Sequence, residues 1–381
     1  MRRSAKTNTI YSYIIGGIES AKFRVGERIP TERELAEQFN VSRPPVMAAI
    51  HKLVKEGLIR RKGKAGSVVI GAPPRKSRVF GAVLLGLARQ HQNDTIFSAV
   101  GNEISHCAAL EHSMVLIQDP SWEEFPGGSA MAGRYQAIAD QFIASKVAGV
   151  FLMPLWILPD QALSSTAIMA ERFDKASIPV VLIDGDITRY PARSHYDLVG
   201  IDNFGSGYVL AQHFLDLGCR KIDFFAAAMR HPTQEARIAG YLKALESRGI
   251  LVDPSGIHYG DLNSDFVVQI LRLRRPEAVL VVNDQMAASV MSLAIGAGIK
   301  VPEELRIGGF DDLPMSSRLA VPLTTIRQPA AGIGAVAFQI MLQRITAADL
   351  PPMHTELNGE LIIRASSGFR PAGKMTARKR G

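Results

Sequence analysis

Five apolar runs in this 381-residue chain close on a short acid or amide: Ile117-Gln118-Asp119, Leu182-Ile183-Asp184, Gly200-Ile201-Asp202, Val282-Asn283-Asp284 and Phe310-Asp311-Asp312. Short runs that are apolar throughout, rather than alternating, are what a strand buried on both faces requires. Strands are expected at 79–85, 114–117, 150–153, 180–183, 199–201, 222–226, 279–282 and 306–309, with amphipathic stretches between them, clearest at 206–217, 233–248 and 285–297. Strands joined by helical crossovers predict an α/β main domain, and its extent over 79–369 predicts two doubly wound parallel-sheet lobes. Ligands of open α/β sheets bind outside the carboxyl ends of the strands, so the polar endings describe a pocket for a small polyol-like molecule. The same side chains can instead cap the helices that follow. Asp119 and Asp202 are read as such caps, and Asp284 is open to either role.

The formal charge of +8 conceals a division. Residues 1–78 carry 17 Lys and Arg against 6 Asp and Glu, and residues 370–381 carry 5 bases and no acid. The remainder holds 22 bases against 30 acids. A basic head on an acidic body suggests that the head meets a polyanion. Solvated termini would give the same totals, so the head has to supply a motif.

It supplies one within residues 1–70. Ile10, Ile14, Ile15 and Ile18 recur at helical spacing. Thr31 is placed to cap a second helix, with Glu34 completing a capping box and Leu35, Ala36 and Phe39 forming its buried face. Ser42 can cap a third helix, and Pro44 and Pro45 fall in its first turn, where backbone N–H groups lack helical partners. Val46, Ile50, Leu53 and Val54 bury that helix and Gly57 ends it. Residues 58–70 then read as two short β segments around a basic, glycine-bearing tip. The head is expected to be a winged helix-turn-helix, followed by an extended linker at 71–78 with two prolines and three bases.

Four blocks of this head, Pro30-Thr31-Glu32-Arg33-Glu34-Leu35-Ala36, Val41-Ser42-Arg43-Pro44-Pro45-Val46, Glu56-Gly57-Leu58-Ile59 and Gly63-Lys64-Ala65-Gly66-Ser67-Val68, resemble in order the head of GntR-type transcription regulators. The resemblance implies that Arg33 reaches DNA from the start of the second helix. It implies that Ser42, Arg43, Pro44 and Pro45 open the recognition helix, with Arg43 suited to bidentate contact with guanine. The wing tip, with Lys64 and Gly66, would lie along the minor groove or the backbone. The family often has Arg after the Val of this turn. Here Met47 follows Val46, leaving Lys52 or Arg61 to supply the missing contact.

In the body, Ala236-Arg237-Ile238-Ala239-Gly240-Tyr241, Val281-Val282-Asn283-Asp284-Gln285-Met286-Ala287, Ile307-Gly308-Gly309-Phe310-Asp311-Asp312 and Pro322-Leu323-Thr324-Thr325-Ile326 resemble the effector domain of LacI/GalR-type repressors, a fold similar to periplasmic sugar-binding proteins. The resemblance implies that Arg237, Asn283 and Asp311 bind effector in the second lobe and that Asp184 lies near the hinge. Arg237 offers a planar donor fork for vicinal hydroxyls or a carboxylate, and Asn283 and Asp311 can anchor further hydroxyls. The alternative for Arg237 is an internal salt bridge to one of these acids. Phe97, Trp122, Trp156 and Tyr190 are candidates for an aromatic platform, each equally able to be core. Leu262 stands where some relatives carry Trp, and 121–133 looks like an exposed loop.

A GntR-type head on a LacI-type body resembles the arabinose-repressor arrangement. It implies a homodimer reading an inverted-repeat DNA operator, switched by a small sugar or sugar-derived effector that closes the lobes. Relieved repression of carbohydrate-use genes is the main reading. An activator, or a regulator answering a non-sugar ligand, is the alternative. An enzyme acting on a sugar finds no support: there is no GxGxxG opening a helix, no GxxxxGK[ST], no HExxH and no GxSxG, so no catalytic residue and no cofactor are expected. Cys107 and Cys219 form no CxxC, and no metal site is expected. The longest apolar run, 147–158, is broken by Pro154 and falls short of the roughly 20 residues of a membrane helix. The start lacks a small-residue cleavage site, so a cytoplasmic location is expected. The basic tail, 370–381, reads as a disordered solubilising end, with non-specific DNA affinity as the alternative.

Overall fold

A computed structural model describes residues 2–19, 22–62, 66–71, 77–84, 95–120, 128–154, 165–228, 230–251, 253–262 and 265–368. Lys64, residues 72–76 of the expected linker, Trp122, Trp156, residues 121–127 of the expected loop and the tail lie outside the described residues, whereas residues 128–133 of that expected loop are helical. The chain forms two compact units, Met1–Ser77 and Arg78–Gly381.

In the first unit, α1 (Arg2–Glu19), α2 (Glu32–Gln38) and α3 (Arg43–Lys55) precede a hairpin of β1 (Ile59–Arg61) and β2 (Ser67–Val69). Ile10, Ile14 and Ile18 bury against Leu35, Val46, Ala49, Ile50 and Leu53, while Ile15 is half-buried. The capping box forms as expected: Glu34 N donates to Thr31 Oγ1 at 3.3 Å and Thr31 N to Glu34 Oε2 at 2.7 Å. Ser42 departs from expectation. It occupies the N-cap position of α3, yet its side chain makes no capping bond. A cap accepts from the second or third helical N–H, and here those positions are Pro44 and Pro45, which have none.

The second unit is the expected two-lobed α/β body. β3 (Val79–Val83), α4 (Ile96–Leu110), β4 (Met114–Gln118), α5 (Gly128–Ala144), β5 (Val150–Leu152), α6 (Ser165–Lys175), β6 (Val180–Ile183) and β7 (Asp197–Ile201) run through the first lobe. The second takes α7 (Asn203–Asp216), β8 (Ile222–Ala227), α8 (Pro232–Ser247), β9 (Ile257–Gly260), α9 (Asp265–Arg274), β10 (Ala278–Val281), α10 (Asp284–Gly296), β11 (Arg306–Asp311) and β12 (Thr324–Arg327). The chain then returns through α11 (Ala330–Thr346) and β13 (His354–Leu357) to the first lobe, and through β14 (Glu360–Ile362) to the second.

The first sheet has the order β13-β7-β6-β5-β3-β4 and is parallel throughout. The second has the order β14-β12-β11-β10-β8-β9, parallel except that β14 pairs antiparallel with β12. Helices cover both faces of the first sheet. Phe80, Phe151 and Phe338 pack on the side of α4 and α11, and Tyr135, Phe142 and Phe173 on the side of α5 and α6. That double burial is why its inner strands β3, β5, β6 and β7 read as apolar runs. The chain crosses between lobes at 201–203, 327–330 and 357–360, and Asp202 N donates to Leu357 O at 2.9 Å, joining two of the crossings.

Candidate DNA interface and effector crevice

Along α3 the packed face uses Pro45, Val46, Ala49, Ile50 and Leu53, which leaves Arg43, Met47, His51 and Lys55 exposed at a spacing of four. Residues four apart share one helix face, so this stripe is what α3 offers to a partner. Arg43 is exposed and makes no ion pair among the described residues. Pro44 is exposed, but Pro45 is buried in the packed face and is a packing residue, not a surface contact. Arg33 is 79% exposed and its Nε meets Glu37 Oε1 at 2.9 Å, a solvated pair that costs little to break. Lys52 lies over the Tyr11 ring at 3.8 Å and Arg61 Nη2 pairs with Glu32 Oε1 at 2.9 Å, so both bases offered as substitutes for the missing Arg have neighbours inside the head. In the wing, Ile59 pairs with Val69 and Arg61 with Ser67, and Lys62 N donates to Gly66 O at 2.8 Å. Gly66 has φ of +85°, which a side chain would disfavour.

At the junction of the lobes, three of the four expected effector residues converge. Asp184 follows β6 with φ of +70°, and its Oδ1 is buried without a hydrogen-bond partner. Arg237, on α8, is 5% exposed. Its Nε donates to Asn203 Oδ1 at 2.8 Å, its Nη1 to Val282 O at 2.6 Å, and its guanidinium lies 4.7 Å from the Phe310 ring centre. The salt-bridge alternative is not realised, because both direct partners are neutral. Asp311 ends β11, and the charges of Arg237 and Asp184 both act on it. Burial pushes its carboxyl up to about 7, the nearby Asp284 and Asp184 carboxylates add to this, and Arg237 and Gln328 oppose it.

Asn283 turns out to be the N-cap of α10, its Oδ1 accepting from Met286 N at 2.8 Å, which leaves its amide N–H groups for a ligand. Asp284 is therefore not the cap. It is fully buried, accepting from Thr325 Oγ1 at 2.6 Å, from Leu313 N at 3.1 Å and from Ser316 Oγ, and burial raises its carboxyl too. Asp202 does cap α7, through Gly205 N at 2.7 Å.

Two residues of the junction escaped the sequence reading. Gln328, in the crossing between β12 and α11, donates from Nε2 to Asp311 Oδ1 at 2.6 Å while its Oε1 is buried and unpartnered. His231, just before α8, hydrogen-bonds the Pro154 carbonyl of the first lobe, and burial lowers its ring below the usual histidine range. Neither belongs to a quoted motif. A cavity of about 110 Å³ lies at the hinge, with Asp184, Asp186, Tyr190, Arg193, Asn203 and Thr233 in its wall. Among the aromatic candidates, Tyr190 lines this cavity, Phe97 is half-buried at the start of α4, and Leu262 is core. No group of metal-ligating side chains occurs among the described residues, and no helix there is long and apolar enough to cross a membrane.

Comparison with known proteins agrees with this architecture. Residues 6–69 match the family of bacterial regulatory proteins called gntR, and residues 211–367 match the periplasmic binding protein-like domain. The chain is 30% identical over 197 residues to the HTH-type transcriptional repressor PurR of Photobacterium profundum, a match taking in 50% of this chain and 58% of that protein. It therefore spans less than two thirds of the curated relatives it matches. Among solved structures, the transcription regulator CcpA of Lactococcus lactis has a TM-score of 0.63 at 19% identity, over 76% of this chain and 99% of that one. A transcriptional regulator CelR–cellobiose complex has a TM-score of 0.64 at 20% identity, over 89% and 100%. The chain thus joins a gntR-type helix-turn-helix at residues 6–69 to a two-lobed body of the periplasmic-binding-protein-like fold.

Proposed function

We propose that this protein is a ligand-switched transcription repressor, working as a homodimer on an inverted-repeat operator in the cytoplasm. The observation that carries the reading is the pairing of a gntR-type head with a body whose lobes meet around Asp184, Arg237 and Asp311. In the head, Arg43 reads base edges in the major groove while Arg33, Pro44 and the wing around Lys64 and Gly66 position the duplex. Ser42, with its hydroxyl free of capping, is available to a phosphate. In the body, Asp184, Arg237, Asn283 and Asp311 hold a sugar-like effector. The CelR structure, similar in fold, holds cellobiose, which supports a carbohydrate. Effector binding favours one arrangement of the lobes, and it can move the equilibrium only by its differential affinity for the two arrangements.

Selection of bound genomic fragments, with footprinting at two salt concentrations, tests the proposal. A protected inverted repeat beside carbohydrate-use genes is the expected result. Binding without an enriched site, lost as salt rises, would reduce the head to a non-specific polycation.

A further inference from the structure

Helix α3 carries no acidic residue, and its exposed face sets an apolar patch inside a basic frame. We infer that Met47 reads the methyl group of a thymine in each operator half-site, an inference that rests on α3 being the helix that enters the major groove.

Met47 is 47% exposed. Among the described residues of the head it is the one large apolar side chain that a helix leaves in solvent, since Val25 and Ile70 lie outside helices and strands. Pro44 and Ala48 are exposed as well, and spacings of three and four residues place all three on one side of α3. Arg43 and Lys52 stand at the edges of this patch, with Lys55 beyond it.

A methionine does nothing for a phosphate, because its thioether carries no charge and donates no hydrogen bond. The apolar group that the major groove presents is the C5 methyl of thymine. The basic frame meets the phosphates on either side of the groove, whereas a second copy of α3 laid on the patch would set like charges together. The nearby bases leave the place to Met47: Lys52 lies over the Tyr11 ring, and Arg61 is paired with Glu32. Met47 follows Arg43 by one helical turn, about 6 Å along the axis, and successive base pairs are about 3.4 Å apart. The thymine therefore falls about one or two base pairs from the base that Arg43 reads.

The test selects sites from a random duplex library with the full chain, then measures affinity with the thymine replaced by uracil, which keeps the pairing and lacks the methyl. Uracil should weaken binding about fourfold for each half-site, the worth of one buried methyl. A cytosine placed there should bind more tightly once it carries a 5-methyl group. In Met47→Ala, thymine and uracil duplexes should bind alike, with the preference at the base read by Arg43 and the melting curve both retained. Met47→Arg should move the selected base to guanine. Uracil bound as tightly as thymine, or a thymine preference that survives in Met47→Ala, would overturn the inference while leaving the head as the DNA reader. A library that yields no enriched site would remove the reading role of α3 as well.

Discussion

Gln328 Nε2 donates to Asp311 Oδ1 at 2.6 Å, tying the end of β11 to one of the three segments that cross between the lobes. The carboxyl so held is pushed up to about 7 by burial. A carboxyl raised above its unfolded value stabilises the fold fully below the unfolded pKa and loses that contribution as pH rises through the folded one. For Asp311 the loss falls between about pH 4 and pH 7. His231 works in the opposite direction, since a ring held neutral by burial must charge as pH falls. The readout is therefore the difference between wild type and Asp311→Asn in urea midpoint across that window. The variant should gain on the wild type as pH rises. A difference independent of pH would mean that Asp311 is ionised throughout.

The exposed stripe on α3 makes a separate prediction. Arg43 is solvated and outside the packed face, so Arg43→Ala should leave the melting curve in place. Specific operator binding should weaken by about 1–3 kcal/mol, with specificity relaxed at one base pair. Affinity retained at that base pair would transfer the reading role to another residue of the stripe.

How much of this was legible in the sequence depends on the kind of signal. Strands β3, β5 to β8, β10 and β11 were, because each is a largely apolar run buried within its sheet, and β4 was legible from its apolar residues although it lies at a sheet edge with Met114 and Ile117 exposed. β13, His354–Leu357, and β14, Glu360–Ile362, were not: they lie at sheet edges, are short and carry Glu356 and Glu360. The family resemblance also grouped Arg237, Asn283 and Asp311 and put Asp184 near the hinge. It could not show that Asn283 caps α10 while its neighbour Asp284 is buried on Thr325 and Ser316, since either residue type can cap. Gln328 and His231 owe their positions to lobe crossings and lobe contact, which no local spacing encodes.

The capping box at the start of α2 gives a prediction confined to the head. Thr31→Ala removes the acceptor for Glu34 N and the hydroxyl partner of Glu34. A loss of about 1 kcal/mol in head stability is expected, measured by urea unfolding followed through the helical signal. Thr31→Ser should restore most of it, and failure of that rescue would point to a packing role for the threonine methyl.

The approach of α7 to α8 gives the last. A Cβ on Gly207 would run into the carbonyl of Arg237, and one on Gly240 into the carbonyl of Phe204. Both obstacles are backbone, which cannot rotate aside as a side chain can. The same approach lets Arg237 Nε reach Asn203 at the start of α7. Gly240→Ala should therefore push the helices apart, lower the stability of the body by about 1–3 kcal/mol, and weaken effector binding by drawing Arg237 away from Asn203. Gly16, in α1, is the control: a Cβ there meets nothing within 4 Å, so Gly16→Ala should stabilise the head by about 0.5–1 kcal/mol. Urea midpoints for the two variants that moved in the same direction would contradict the close approach of α7 and α8.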